Sequence, residues 1–587
     1  MRSGKEIRFR LRQEAANLGM LMRAPRLSVG KHETATLLPD PGEVGRRLAG
    51  TALATEAIKL AEEITAHRFP LLGGTVETSD QIRWRRDYRS GKETGTGYFR
   101  LIPYLDAARA GDHKNIWELN RHQHLVLLAQ VSLITGDEVW LDEIVRELES
   151  WWAENPFQRG INWASALEVG FRALSWMWVH RMVGTRLPER FLEELYRHGC
   201  HLEKNLSVYF SPNTHLLGEA VALHALGMMF KVSRWEETGG RTVREEIERQ
   251  VREDGSHFEQ STYYHVYALD MFLFHGVLAG MDAAYLSKLE RMAEYLDALM
   301  GSGRRLPFLG DDDGGRFFHP YGRRDEFGRA TLATCGVVLK RPEWIGSQED
   351  LWEQASWWLG PDKLPIQSRD QRERLPKLFA DAGVAVFHDV IMDVGPFGRG
   401  RAGHSHSDTL SIVVRSGGED VLIDPGTYTY VGEPKWREWF RGSSAHNTLR
   451  IDGRDQAVAM GPFWWSDPPA VQVLNWSSHS VEAECRYHGL CHRRRVTLEK
   501  PGRLVIVDEV EGSGEHTVER FWHAGGPVEE LGEGRFRIGT KAVLVLSAGT
   551  VEQGWRSPTY GVKENSPVIR EMGKVTLPMR WTAVIEL

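Results

Sequence analysis

The run Gly403-His404-Ser405-His406-Ser407-Asp408 places two imidazoles and a carboxylate just ahead of an apolar stretch that starts at Thr409. Side chains two residues apart on a strand share a face, so a strand here would project His404, His406 and Asp408 together. Asp424, ending Val-Leu-Ile-Asp before Pro425-Gly426, and His446, in Ser-Ser-Ala-His-Asn-Thr, follow downstream. Two imidazoles and a carboxylate suit a divalent cation, zinc first among them. One histidine alone would read as a turn residue making local hydrogen bonds. The density of the cluster favours a site.

A second group is Ser211-Pro212-Asn213-Thr214-His215, followed by the apolar run Leu216 to Phe230. Asn213 stands where a helix should begin and, taken alone, reads as a cap. The same position would aim an amide and the positive end of a helix dipole at a carboxylate. The third group is Asp254-Gly-Ser-His-Phe-Glu-Gln-Ser-Thr-Tyr-Tyr-His265, where Tyr264 reads alone as a core aromatic and in company as an acid or base. Polar residues also interrupt apolar helical stretches: Glu118, Asn120, Arg121, His122, Asn162, Glu168 and Arg172. Burying them is costly unless they are paired or line a cavity. The run Asp311-Asp312-Asp313-Gly314-Gly315-Arg316 lacks the spacing of a calcium loop and reads as a capped turn.

The elements that must position these groups change character once. From about residue 45 to 365, apolar residues recur at helical spacing, as in Trp117 to Ile134, Leu141 to Trp152, Ala164 to Val179, Thr214 to Phe230 and Tyr264 to Leu278. Successive pairs predict helical hairpins arranged as a bundle, a solenoid or a closed toroid. Beyond Pro365, period-two alternation predicts strands at Thr409–Arg415, Val421–Asp424, Arg495–Glu499, Leu504–Asp508 and Lys541–Leu546. The expected division is an N-terminal segment over 1–45, a helical domain over 46–365 and an antiparallel β domain over 366–587.

A formal charge of −7 argues against a nucleic-acid binder that works through general positive charge. An anionic ligand would have to be met by a local cluster of basic groups. Arg83, Arg85, Arg86 and Arg89 could hold sulfate or carboxylate groups, and equally could be a solvated loop. The four cysteines are too few for a disulfide framework, and Cys485 and Cys491 read equally as a bridge or as two free thiols. The basic N-terminus is followed by no apolar run, so neither a secretory leader nor a membrane span is expected there. Taken as a native start, it leads to the expectation of a cytoplasmic protein.

Asn-Thr-His-Leu-Leu-Gly-Glu-Ala at 213–220, the 254–265 run, the 403–408 run, Ile-Asp-Pro-Gly at 423–426 and Ala-His-Asn-Thr at 445–448 occur in that order. Together with Trp117-Glu-Leu-Asn-Arg-His and Asn162-Trp-Ala-Ser, they resemble the heparinase II/III-like superfamily of polysaccharide lyases, over roughly 80–525. The resemblance implies an α+β multidomain chain, with an incomplete (α/α) toroid followed by an antiparallel β-sandwich. It implies β-elimination on heparin, heparan sulfate, hyaluronan, chondroitin or alginate, with an anionic uronate-containing polysaccharide or oligosaccharide as partner and neither nucleic acid nor membrane. Asn213 and His215 would neutralise the uronate carboxylate, Tyr264 would be the acid/base and His404 its partner. His406, Asp424 and His446 match the family's metal ligands, for a structural divalent ion. Glu118, Asn120, Arg121, His122, Asn162 and Arg172 would contact substrate. Thr214 separates Asn213 from His215, a departure from the commoner Asn-His pair. A tyrosine base would need neighbouring cations to lower its pKa from about 10.

Two other readings compete. A glycoside hydrolase would pair Glu168 with one of Asp311, Asp312 and Asp313 across a sugar. A non-catalytic glycan-binding protein would keep an aromatic cleft but have no use for Tyr264 and His404 together.

Overall fold

The computed structural model describes residues 3–27, 34–365, 374–500 and 502–587. Helices Gln123–Thr135, Ala166–Val183, Thr214–Phe230 and Thr262–Ala279 are buried almost all round, and each packs on the next. Each is followed in sequence by one of Val139–Glu154, Phe191–Asn205, Ser233–Gln250 and Ala283–Met300, which bury one face and expose the other. A helix apolar on every side must be surrounded, and an amphipathic one can cover it. The sequence pattern therefore dictates a two-layered array of helical hairpins, with the uniformly apolar helices inside.

The structure departs from the sequence reading in three places. The stretch Trp117 to Ile134 is two helices, His113–Asn120 and Gln123–Thr135, separated where His122 takes a left-handed backbone with φ 56°. No glycine or proline marks that break. The segment 1–45 holds a 19-residue helix, Gly4–Met22, docked on Phe191–Asn205. A hairpin of Arg68–Leu71 and Gly74–Glu77 interrupts the helical half.

The helical turns end with Pro361–Lys363 and the next strand is Lys377–Phe379, so the division expected between 365 and 366 borders residues outside the described set. Five antiparallel strands from Lys377–Phe379 to Glu419–Leu422 form one sheet in chain order. A ten-stranded antiparallel sheet is built around two long partners, Arg503–His523 and Val562–Glu586. Phe387, Met392 and Ile412 of the first sheet share one apolar core with Val481, Val496, Ile506 and Ile569 of the second. All four cysteines are free and buried, and Cys485 lies opposite His492 in the register, not Cys491. Among the described residues, no helix is long and apolar enough to cross a membrane.

One inner-helix residue makes stability depend on pH. Glu219 is fully buried and accepts hydrogen bonds from the Ser207 N–H and hydroxyl, each at 2.6 Å. Burial outweighs those bonds and pushes its carboxyl up to about 8. The folded chain thus holds a proton that the unfolded chain gives up near the ordinary glutamate value of 4.5. Stability from this group is complete below the lower value and is lost as pH rises through the upper one. Glu219→Gln keeps an acceptor for the Ser207 N–H and a donor for its hydroxyl without titrating. Relative to that variant, the wild type should lose on the order of 1–3 kcal/mol between about pH 5 and pH 8. Parallel unfolding midpoints for the two proteins across that range would exclude the assignment.

Candidate active site

Two inner helices present their N-termini side by side. Asn213 caps Thr214–Phe230, its side-chain oxygen accepting from the His215 N–H at 3.1 Å. Ser261 caps Thr262–Ala279, accepting from the Tyr264 N–H at 3.2 Å and donating to the Asp311 carbonyl at 2.6 Å. Tyr264 therefore stands in a first helical turn, where side chains have access to the positive end of the helix dipole. Asn213 is both the cap and a site group. Its oxygen serves the helix, and its amide donates to Glu259 Oε1 at 2.6 Å.

His404 arrives from the β domain. The strand expected from Thr409 begins only at Ile412, and 403–411 form a loop. That loop is held by Gly398 N–H to Ser405 Oγ at 2.8 Å, Trp465 Nε1 to the Ser405 carbonyl at 2.8 Å and Asp311 N–H to the His404 carbonyl at 2.9 Å. The His404 ring lies over Tyr264, with centroids 4.0 Å apart and planes 31° from parallel. Its Nδ1 is 3.1 Å from Asp311 Oδ2 and its Nε2 is 3.5 Å from Glu259 Oε1. Asn213, Tyr264 and His404 thus meet in one place, with Glu259 bridging the first and third. His215, half-buried beside them, has Nδ1 3.0 Å from Asn213 Oδ1.

Asp311 ties the two domains together. It comes from the helical half, it is fully buried, and its carboxylate partners come from the β half. Arg437 forks onto both oxygens, with Nη2 at 2.8 Å from Oδ2, and His406 Nε2 is 2.9 Å from Oδ1. Burial acts to raise this carboxyl, but Arg437 and the two imidazoles hold it well below the usual range. Nearby, Tyr430 brings its hydroxyl to 3.2 Å from that of Tyr264. Sequence reasoning gave no role to Glu259, Tyr430 or Arg437, and read Asp311 only as part of a turn or as one of three candidate hydrolase carboxylates. The available signal was an acidic triplet set between Pro-Phe-Leu-Gly and Gly-Gly-Arg-Phe-Phe, an apolar setting in which a carboxylate requires partners.

The electrostatics do not meet the condition for a tyrosine base. Tyr264 is not surrounded by cations. Burial, with Asp313 next in effect, drives its pKa well above 10, so at rest it is a neutral phenol. His215 falls to about 4, through burial and then the proximity of His404, so at rest it carries no positive charge. His404 shifts the other way. Burial alone would lower it, and the Asp311 hydrogen bond and Glu259 raise it.

His406, Asp408 and His446 converge so that one ligand atom from each lies within 4.8 Å of the others, all three residues buried. Among the described residues, His406 Nδ1 and His446 Nε2 have no hydrogen-bond partner. The opposite ring nitrogen of each is engaged by a carboxylate, His406 by Asp311 at 2.9 Å and His446 by Asp424 at 3.0 Å. Metal-binding imidazoles are commonly oriented in this way, the outer N–H given to a carboxylate and the inner lone pair left for the ion. The donor set fits a divalent cation. Asp408 occupies the third position, and Asp424, expected there from the sequence, stands behind His446.

The six residues expected to touch substrate divide. Glu118 and Arg121 belong to a buried charge network with Lys114, Asp313 and Glu168: Lys114 is 2.8 Å from Glu118 and 3.2 Å from Asp313, and Arg121 is 2.7 Å from Glu168. The Arg121 Nη1 atom lies 3.3 Å from Glu118 Oε2. The other four serve the helical core. Asn120 bonds the Trp84 and Ile116 carbonyls and the Trp151 indole, His122 accepts from the Trp176 indole at 2.9 Å, and Asn162 bonds the Trp84 carbonyl and Asn155. Arg172 bonds His198 and the Asn120 and Asn162 carbonyls, lies 4.4 Å over Trp151, and is lowered to about 9 by burial. A large helical core cannot be wholly apolar where chain turns leave carbonyls inside, and these side chains satisfy them.

The carboxylates proposed for a hydrolase are also committed. Glu168 is held below the usual range because Arg121 outweighs its burial, Asp313 because Lys114 and Arg121 do, and Asp312 is paired with Arg324 at 2.7 Å. A hydrolase acid needs the opposite shift.

A heparinase II/III N-terminus model matches residues 43–316, and a heparinase II/III-like C-terminal model matches 371–581. The chain is 25% identical over 447 residues to a heparin-sulfate lyase of Bacteroides stercoris, a match that takes in 68% of this chain and spans 63% of the length of that relative. The crystal structure of heparinase III superposes with a TM-score of 0.69 at 17% identity, over 98% of this chain and 89% of that one. Chondroitin AC lyase of Streptomyces coelicolor A3 does so with a TM-score of 0.54 at 12% identity, over 93% and 83%. At such identities the structural likeness is one of fold: a helical domain followed by antiparallel sheets. With one family model matched on each domain, in order and on both sides of the Asp311 junction, the chain belongs to the heparinase II/III-like family.

Proposed function

We propose that the protein is a polysaccharide lyase that cleaves uronate-containing glycans, of the heparan sulfate, hyaluronan or chondroitin kind, by β-elimination. The observation that carries this reading is the meeting of the Asn213 amide, the Tyr264 phenol and the His404 imidazole, brought from two domains around Glu259. The relative named as a heparin-sulfate lyase supports the substrate class.

The chemistry explains the residue types. Removing the proton at C5 of a uronate builds negative charge beside a carboxylate that is already anionic, so donors must meet the charge where it develops. Asn213 supplies a neutral amide donor next to the converging helix N-termini, and His215 extends the same polar face. Asp311 accepts the Nδ1–H of His404 and so leaves Nε2 as the proton acceptor. In the elimination His404 takes the C5 proton, the C5–H electrons form the C4=C5 double bond, and the C4–O4 bond breaks. The neutral Tyr264 phenol gives its proton to the departing O4. Its hydroxyl contact with Tyr430 steadies the phenolate until it is reprotonated. A divalent ion, zinc by its donor set, would be held by His406, Asp408 and His446 and would brace the loop that carries His404.

Incubation with heparan sulfate, hyaluronan, chondroitin and alginate should yield a 4,5-unsaturated uronate that absorbs ultraviolet light with at least one of them. A saturated product would replace the lyase reading with a hydrolase. Tyr264→Phe should lower turnover by about 10²–10⁴ while substrate binding persists, and near-wild-type turnover would remove Tyr264 from the mechanism. His406→Ala and Asp408→Asn should abolish the metal load and lower the melting temperature. Asp424→Asn should instead weaken metal affinity by about 10–100-fold. Metal analysis giving full occupancy for Asp408→Asn and none for Asp424→Asn would reverse the assignment of ligand and support.

A further inference from the structure

Two arginines of the basic stretch are tied down. Arg83 pairs with Glu93 at 2.8 Å, and Arg85 bonds the Thr94 carbonyl at 3.1 Å and lies 3.5 Å from Glu154. Arg89 differs. It is exposed, and among the described residues no carboxylate is paired with it. Its guanidinium rests on Gly561, at the tip of the hairpin joining Thr550–Thr559 to Val562–Glu586. A Cβ at that position would coincide with the guanidinium, and the backbone there has φ +78°, so glycine suits the position on both counts.

Two residues on, the Lys563 ammonium lies 4.4 Å from the centre of the Tyr428 ring, 4.7 Å from Trp436 and 5.9 Å from Trp555. Among the described residues it too has no carboxylate partner. Aromatic faces steady an ammonium without neutralising it. The acids of this surface are engaged elsewhere: Glu433 by the Tyr428 hydroxyl and Glu564 by Arg556 at 3.0 Å. Two cations without counter-ions therefore stand beside half-exposed rings, at a seam between the domains. That seam adjoins the site. The Gly561 N–H donates to the Tyr428 carbonyl at 2.7 Å, and Tyr428 is two residues, at most about 7 Å of chain, from Tyr430, whose hydroxyl meets that of Tyr264.

We propose that Arg89 and Lys563, backed by Tyr428 and Trp436, form a subsite that grips a sulfate or carboxylate group on a sugar flanking the scissile bond. The proposal rests on the reading of the site as one for uronate glycans. An arginine fork and a lysine point charge are complementary means of holding such oxyanions, and the neighbouring rings offer an apolar face to the sugar.

The test measures equilibrium binding in a Tyr264→Phe background, with a fluorescently labelled heparan sulfate hexasaccharide and its chemically desulfated counterpart as probes. Adding Arg89→Gln and Lys563→Gln together should weaken binding about tenfold and flatten its dependence on salt, whereas Lys563→Arg should retain affinity. Weakening confined to the sulfated probe identifies a sulfate, and equal weakening for both identifies a carboxylate. Unchanged affinity of the double variant for both probes overturns the subsite. So does a Lys563→Arg protein as weak as the double variant, or a parent protein that binds neither probe. Because no turnover is read, a failure of the active enzyme to form unsaturated product would count against the lyase reading alone.

Discussion

A single buried carboxylate organises the site. Asp311 extends from the helical domain into a pocket of β-domain groups, where Arg437 neutralises it and His404 and His406 share its two oxygens. An unpaired carboxylate would be costly to keep ionised in that setting, and an unpaired Arg437, itself buried, would leave an uncompensated charge inside the protein. Each domain supplies the charge that makes the other's tolerable. The same contact fixes the ring orientation of the proposed base and of one metal-binding imidazole, so catalytic geometry and domain docking are one structural problem with one solution.

The division of labour between neighbouring histidines follows from this. His404 faces Tyr264, while His406 turns its free nitrogen toward Asp408 and His446. Both are anchored through the other ring nitrogen to the same residue. Bracing His406 therefore braces the loop, and the loop sets the stacking of His404 on Tyr264. The inner helices contribute from the opposite side: their capping residues, Asn213 and Ser261, belong to or support the site, so the ends of deeply buried helices also shape it.

Much of this was legible in the residues. Apolar recurrence at helical spacing marked 214–230 and 264–278 as helices, and the fold adds that they are buried on nearly all sides. The spacing of His404, His406 and Asp408 marked a ligand cluster even though the expected strand starts later, at Ile412. What stayed hidden depended on partners far away in the chain. Asn120, His122, Asn162 and Arg172 interrupt apolar helices just as groove residues would, and their periodicity could not show that indoles and backbone carbonyls of other segments await them. Asp311 read as a turn because its partners lie about a hundred residues or more downstream. The upward shift of Tyr264 was not legible either, since its burial and the nearness of carboxylates such as Asp313 come only with the fold.

The Asp311 junction also bears on how such chains can be recombined. A chimera that joined the helical half of this protein to the β half of a relative would inherit a carboxylate shaped for one particular arginine and pair of imidazoles. Unless the loop bearing residue 311 travelled with its acceptor surface, the hybrid would seal a stranded charge at its seam and misalign the base at the same time. The natural unit of exchange is thus neither domain alone, but a β half together with the short acidic turn that plugs into it.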